Sequence, residues 1–426
     1  MNRAWPLKSL CRRPWPVSSV TAPLLDLSIP IEEENTPDYH ADRFYPIKLG
    51  QVLNKRYQVA TKLGHGASST VWLARDLSRW RWSKEKYVAI KVNAIGRPSR
   101  RFPPDNEIDI LRHISQVNRK HTGWRYIRKL SDSFSLDGSL GTHRCLVIQA
   151  LREPLWIYCG RFKGGVIPPD ILKIQIQMIL EGLDYLHSEC QVIHADLKPD
   201  NIMVRAEDVS IFQRDAQDEF ENPLPQKPID DKRTIYLCRN NFGRLVAGDG
   251  NIQIVDFDLS VRSKPGQIHT GATQAEIYRA PEVILDAGYS YSADIWSLGV
   301  LLWDLLEGEA LFLPRLHGSS EYDDESHLGQ ITALIGPRPQ NILSNGRRNS
   351  MFYKPNGELK DPGRVPEGLS FDSAINRISG EEKVQFIRFV KRMMKWSPEG
   401  EIRQNNCLMT HGWRKSLRKV REGRRM

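Results

Sequence analysis

The spacing of apolar and polar positions changes several times along the chain, and each change marks an element. From Tyr57, the stretches Y-Q-V-A-T-K-L-G and S-T-V-W-L-A-R-D flank a turn of small residues, and Y-V-A-I-K-V follows a loop rich in Trp and Lys. Short runs of this kind separated by turns predict a β-meander. Asn106–Ser115 then places Ile108, Leu111 and Ile114 at helical spacing. Two more strands are expected near 131–135 and 144–148. From Asp170 the stretch I-L-K-I-Q-I-Q-M-I-L-E-G-L-D-Y-L-H carries an apolar helical stripe, and Ser292–Leu306 and Glu381–Met394 read as further helices. A strand-rich front and a helix-rich back predict an α+β protein of two lobes with a cleft between them.

Two segments break this order. Residues 205–250 are polar, with an acidic run D-A-Q-D-E-F-E and three prolines, and read as a surface insertion. Residues 1–56 are Pro-rich and aperiodic, and are expected to be mostly disordered, ending in an extended lead-in. No internal repeat is visible.

Composition narrows the classes. The 426 residues are 40% hydrophobic and 26% charged, ordinary for a globular enzyme of one two-lobed domain with extensions. No stretch reaches the ~18 unbroken apolar residues of a membrane span; the best, Leu298–Leu306, is interrupted by Asp304 and reads as a buried helix. The net charge of +10 is partly local, because residues 414–426 hold seven basic residues and one acid. That tail is either an arm for nucleic acid or acidic partners, or a solvated end. The six cysteines are scattered without C-x-x-C spacing, so neither a zinc site nor a disulfide framework is expected, and a reducing compartment is. Cytoplasm, nucleus or both follow as the expected location, with a monomer as the expected state. Before Asp26, Arg3, Lys8, Arg12 and Arg13 stand without an acid, as in a mitochondrial transit peptide, while Pro6, Pro14 and Pro16 would break the helix such a peptide needs.

The candidate chemistry sits at element ends. In L-G-H-G-A-S-S-T-V, Gly64 and Gly66 lie between two strands, where backbone N–H groups can approach phosphates. Lys91, in V-A-I-K, can reach phosphate oxygens, and Glu107 on the following helix is the carboxylate to orient it; either residue alone would be read as a surface charge. The strongest signal is V-I-H-A-D-L-K-P-D-N-I-M. There Asp196 would accept the proton of a substrate hydroxyl or orient it, Lys198 would neutralise a transferring phosphoryl group, and Asn201 would ligate Mg²⁺. In I-Q-I-V-D-F-D, Asp256 stands at a strand end where it too can hold Mg²⁺. Phosphoryl transfer asks mainly for positioning and charge neutralisation, and these groups supply both.

With these motifs the chain resembles the protein-kinase superfamily over residues 57–413, divided as a small lobe 57–150 and a large lobe 151–413. Y-R-A-P-E and D-I-W-S-L-G-V fit the same pattern. The resemblance implies ATP and Mg²⁺ as cofactors, with Leu63, Gly64, Gly66, Val71, Ala89, Lys91 and Glu107 around the nucleotide. It also implies a Glu282–Arg403 pair and Asp294 supporting the catalytic loop from below. Tyr278-Arg279 is similar to the group containing cyclin-dependent, MAP and dual-specificity kinases. R-F-Y-P-I-K-L-G, the H-A-D loop, G-T-H-R-C-L-V-I, R-T-I-Y-L and H-L-G-Q-I-T-A-L-I-G-P together resemble the serine/arginine-rich (SR) protein kinases, fungal members in particular. That implies transfer to Ser or Thr of Arg/Ser-rich proteins. The complete Ala-Pro-Glu segment disfavours a small-molecule or lipid kinase.

Several positions depart from the superfamily pattern. Ser69 replaces a third glycine, and Ala195 replaces the arginine that binds an activation-loop phosphate, consistent with constitutive activity. Asp258 replaces the glycine of D-F-G, where left-handed backbone freedom is expected to matter. Ala275 stands where many kinases have a threonine that supports the catalytic Asp and Lys. These last two leave a second hypothesis open, a pseudokinase that holds ATP or a partner without turnover. Thr270 and Thr273 are candidate phosphosites, or simply exposed loop threonines. The acidic run Glu321, Asp323, Asp324 and Glu325 is either a dock for Arg-rich substrates or a solvated loop.

Overall fold

The computed structural model describes residues 11–96, 103, 105–239, 242–245, 250–313, 322–339 and 346–396. Arg403, Glu321 and the basic tail 414–426 lie outside the described residues. In chain order the first strands are β1 (Val52–Leu53), β2 (Tyr57–Gly66), β3 (Ser69–Asp76) and β4 (Tyr87–Asn93). Helix α1 (Asn106–Gln116) precedes β5 (Leu130–Gly138) and β6 (Gly141–Ile148). Then come α2 (Leu155–Cys159), α3 (Pro169–Asp184), β7 (Val192–Ile193), β8 (Ile202–Val204), α4 (Ser210–Glu221), β9 (Gln226–Pro228) and β10 (Thr234–Tyr236). The remainder is β11 (Ile252–Ile254), β12 (Val261–Arg262), α5 (Pro281–Ile284), α6 (Ser292–Leu306), α7 (Asp324–Ile335), α8 (Asn349–Phe352) and α9 (Gly380–Val390).

The described residues fall into two units. Of the described residues, the first unit takes those within 11–112, 128–152 and 206–249, and the second those within 113–127, 153–205 and 250–396.

The first unit is built on an antiparallel sheet of order β1-β2-β3-β4-β6-β5. Alternation along its strands sends one set of side chains to a core of Leu53, Tyr57, Val59, Trp72, Ala74, Val88, Ile90, Val92, Cys145 and Val147. Ile47 of the lead-in is buried in this core, and Tyr236 of the insertion packs against it. The expectation of a mostly disordered extension therefore does not hold for residues 11–56. Trp15 meets the Phe220 ring edge-on at 5.5 Å, and the Arg75 guanidinium lies 4.0 Å from the Trp15 ring centre. Farther on, Glu34 accepts from Lys227 at 2.9 Å, and Glu33 pairs with the buried Lys62.

The insertion folds as well, and it belongs to the first unit. α4 packs beside β2, where Thr61 Oγ1 donates to Glu219 Oε2 at 3.1 Å. β9 and β10 form a hairpin, and a bridge pairs Lys62 with Cys238. Arg239 ties the hairpin's end back to α4 through Glu219, at 2.9 Å, and Asp218. The polar composition that reads as a surface insertion supplies these ion pairs.

The second unit is helical around α6, in which every residue except Asp304 is buried. The stacked Trp296 and Phe312 rings, with Trp303 against Phe371 and Phe386, pack around this helix. Truncating either tryptophan to Ala would cost about 3–5 kcal/mol. Helix α3 approaches the turn Thr122–Tyr126 so closely that a Cβ at Gly123 would stand 1.8 Å from Glu181 O, which explains the glycine. Its last turn widens into a π-helical segment, Tyr185–Glu189, where the buried Tyr185 hydroxyl donates to Ile114 O at 2.7 Å and Val117 O at 2.6 Å. Two short ribbons, β7 with β12 and β8 with β11, hold residues 194–201 beside residues 255–260. Among the described residues no helix is long and apolar enough to cross a membrane.

Candidate active site

In the first unit, register places the residues expected around the nucleotide. Gly64 pairs with Val71, Val71 with Lys91, and Leu73 with Ala89, so Val71, Ala89 and Lys91 share one face of the sheet. Leu63 sits at a register shift between Lys62 and Gly64, and Gly66 pairs with Ser69 to close the turn. Neither Gly64 nor Gly66 adopts positive φ, and a Cβ on either would meet nothing within 4 Å. Their glycines keep an open cradle in which backbone N–H groups can be reached, as a bound triphosphate requires. Lys91 is buried and donates to Glu107 Oε1 at 2.8 Å, so strand β4 and helix α1 fix its direction.

In the second unit, the catalytic loop is held from beneath. Asp294, at the start of α6, accepts the backbone N–H groups of His194 and Ala195, both at 2.8 Å, and the His187 Nε2–H at 2.7 Å. Burial alone would raise the Asp294 pKa, but these donors hold it below the usual carboxylate range. His194 accepts the Asp196 N–H on Nδ1 at 3.3 Å, which leaves its Nε2–H to donate to Val255 O at 2.9 Å. The loop and the strand end carrying Asp256 are thereby coupled. Val255 N also donates to Asn201 O at 2.9 Å.

Within this frame Asp196 Oδ2 receives Lys198 Nζ at 3.1 Å and Asn201 Nδ2 at 2.9 Å. Asn201 Nδ2 also donates to Asp196 O at 2.8 Å. The second carboxylate oxygen, Oδ1, is left to meet a hydroxyl. With its amide nitrogen committed to Asp196, Asn201 keeps its carbonyl oxygen for a cation. A carboxylate and an amide oxygen suit a hard cation such as Mg²⁺. Asp256 adopts φ 63°, a left-handed conformation, and its charge acts on both Asp196 and Lys198. Burial raises the Asp196 pKa above its ordinary value despite Lys198. Burial works against the Lys198 ammonium, yet Asp196, Asp200 and Asp256 keep its pKa raised.

Several departures from the superfamily pattern find a structural answer. The left-handed residue in the D-F-D run is Asp256, and Asp258 does not have positive φ. Glycine's freedom is therefore not needed at 258. Thr273, a candidate phosphosite, is buried, and its Oγ1 donates to Ala195 O at 3.0 Å. Gln274 N donates to the same carbonyl at 3.0 Å. The Gln274 side chain donates to Ala293 O at 2.8 Å and Ser297 Oγ at 2.7 Å and accepts Ala280 N–H at 2.9 Å. These two neighbours anchor the segment that carries Ala275. Thr270 is exposed.

Sequence reasoning missed Thr273, Gln274 and His187 as supports. Their only sequence signal is their nearness to Tyr278 and to the catalytic loop.

In the acidic run, the described carboxylates Asp323 and Asp324 have partners within the protein. Asp323 caps α7, accepting from Glu325 N at 3.2 Å and Ser326 N at 2.9 Å. Asp324 pairs with Arg279 at 3.2 Å and Arg348 at 2.7 Å. Glu325 alone remains of the described carboxylates in the run. Glu282 is buried, accepts from Ser292 Oγ at 3.2 Å, and has its pKa pushed up to about 7 by burial. Its expected partner, Arg403, lies outside the described residues.

Comparison with known proteins matches this geometry to one family. The protein kinase domain model fits residues 57–411. A serine/threonine protein kinase of Aspergillus fumigatus is 36% identical over 92% of both chains. The serine/threonine-protein kinase SRPK of Physarum polycephalum is 29% identical, covering 86% of this chain and 88% of its own. SRSF protein kinase 3 of Homo sapiens is 24% identical over 90% of both. A crystal structure of a kinase domain superposes with a TM-score of 0.64 at 23% identity, covering 88% of this chain and 99% of its own, and agrees with the bilobal α+β fold. The chain belongs to the protein kinase family, as a serine/threonine protein kinase similar to kinases named SRPK and SRSF protein kinase 3.

Proposed function

We propose that this kinase is catalytically active and transfers the γ-phosphoryl group of Mg-ATP to Ser or Thr in Arg/Ser-rich proteins. The observation that carries the reading is the Asp196 carboxylate, whose Oδ2 is held by Lys198 and Asn201 while Oδ1 is left for a substrate hydroxyl. Asp196 would orient that hydroxyl and take its proton as the oxygen attacks. Lys198 would place a positive charge beside the transferring group. In the first unit, Lys91, directed by Glu107, would hold phosphate oxygens. In the second, Asn201 Oδ1 and Asp256 would hold Mg²⁺, which when bound neutralises phosphate charge.

Preference for arginine is supported by a carboxylate at the far end of α6. Asp304 is half-buried, accepts from Tyr278 Oη at 3.2 Å, and interacts with Asp200 on the catalytic loop. Burial raises its pKa to about 7, so a guanidinium beside it would favour the ionised form. Two of the relatives are named for SR-type substrates or kinases, which points the same way.

The test compares an Arg-Ser repeat peptide with its Lys-Ser counterpart in wild type and Asp304→Asn. The reading expects the Arg-Ser peptide to be preferred at least about tenfold in kcat/KM, with the preference reduced in the variant chiefly through KM. Equal use of both peptides by the wild type would remove the arginine assignment while leaving the kinase.

A further inference from the structure

We propose that Glu32, His65 and Cys238 form a regulatory zinc site that ties the glycine-rich turn to the N-terminal extension and the insertion. The three residues come from segments far apart in sequence, all within the first unit. Glu32 belongs to the extension, His65 stands between Gly64 and Gly66, and Cys238 follows β10.

Their side chains converge. Glu32 Oε2 is 2.7 Å from Cys238 Sγ and 3.2 Å from His65 Nε2, and the three donor atoms all lie within 4.8 Å of one another. Among the described residues this is the one such grouping of His, Cys and carboxylate. Glu32 is aimed by its other oxygen, which accepts the Cys238 N–H at 2.9 Å. A thiolate, an imidazole and a carboxylate make a donor set that suits Zn²⁺. Zinc–ligand distances of about 2.0–2.3 Å need only small side-chain rotations from this arrangement. His65 is exposed, so a fourth position on the metal would be open to water.

The neighbouring charge is compatible. Lys62 Nζ lies 3.6 Å from Glu32 Oε2, but it is paired with Glu33 and donates to Tyr236 O at 3.0 Å. Metal binding displaces the Cys238 thiol proton, which passes to buffer.

Placement decides the consequence. A metal held by His65 fixes the turn whose backbone N–H groups serve the nucleotide, and fixes it to two segments that lie outside the meander. Zinc would thus rigidify Gly64–Ser69 and couple ATP binding to the extension and insertion.

The experiment uses the full chain without nucleotide. Cobalt(II) is titrated as a spectroscopic stand-in, followed by competition with zinc chloride. One equivalent should give a thiolate-to-cobalt charge-transfer band that zinc removes. Cys238→Ser should abolish the band, and both Cys238→Ser and Glu32→Gln should weaken zinc binding by about 100-fold or more, with thermal unfolding confirming that each variant is folded. Amide exchange at Gly64–Ser69 should slow at least about tenfold on adding zinc to wild type, and not in Cys238→Ser. A missing band, or one that persists in Cys238→Ser, overturns the site. Unchanged exchange despite binding overturns the coupling.

Discussion

The Thr273 hydroxyl donates to the Ala195 carbonyl at 3.0 Å, joining the activation segment to the catalytic loop without a phosphate. Ala195 adopts φ 65°, and this conformation turns its carbonyl toward Thr273 and Gln274 while its N–H meets Asp294. In kinases with arginine at this place, a phosphate makes the link; here two side-by-side residues of the segment make it. Activity should therefore survive complete dephosphorylation. Thr273→Val should lower kcat about tenfold through loss of a buried hydrogen bond, and Thr273→Asp should lower it further by burying a charge. Phosphatase treatment followed by a transfer assay, alongside both variants, checks this.

Asp294 gathers three donors under the catalytic loop, and its charge is stabilised by them. Asp294→Asn places an amide nitrogen where a donor already points. Loss of about 3 kcal/mol of stability is expected, together with a drop in kcat that exceeds any rise in KM for ATP. Denaturant unfolding and steady-state kinetics measure the two effects separately.

His327 is buried against Phe312, with ring centres 4.4 Å apart, and its Nδ1 lies 2.8 Å from Tyr322 Oη. Burial pushes its pKa down to about 3, with Asp324 opposing and Arg279 adding to the fall. The sign follows directly. Below the unfolded value near 6.5 the unfolded chain gains a proton that the folded chain refuses, so stability falls as pH drops toward 3. At pH 5 the loss from this residue is about 2 kcal/mol. His327→Gln should flatten the stability profile between pH 7 and 5, as followed by urea unfolding.

Asp258 occupies the place of a glycine, yet its backbone does not use glycine's freedom. Asp258→Gly should change kcat by less than about threefold, and the added backbone entropy should cost about 0.5–1 kcal/mol. A large gain in activity in the glycine variant would mean that Asp258 restrains the enzyme.

Local motifs were the most legible part of the chain. The strand pattern from Tyr57 to Val92, the pair Lys91–Glu107 and the loop from His194 to Asn201 each occupy a short stretch or a fixed spacing, so periodicity and residue type read them directly. What escaped was held by contacts distant in sequence. Trp15 against Phe220, Glu34 with Lys227 and Arg239 with Glu219 join segments that are polar or proline-rich on their own. Nothing local distinguishes these from solvated chain. Asp324 was legible as a charge but not as the partner of Arg279 and Arg348. Thr273 looked like any loop threonine because its burial depends on the φ of Ala195, which the sequence does not display.

The most direct test of the account is transfer of labelled γ-phosphate from Mg-ATP to an Arg-Ser repeat peptide by wild type and Asp196→Ala. The account predicts stoichiometric or greater transfer to serine by the dephosphorylated wild type, and a loss of at least about 100-fold in the variant, in which the proposed base is removed and Lys198 and Asn201 lose their shared acceptor. Absence of transfer by a wild type that binds ATP, or equal transfer by the variant, would contradict it.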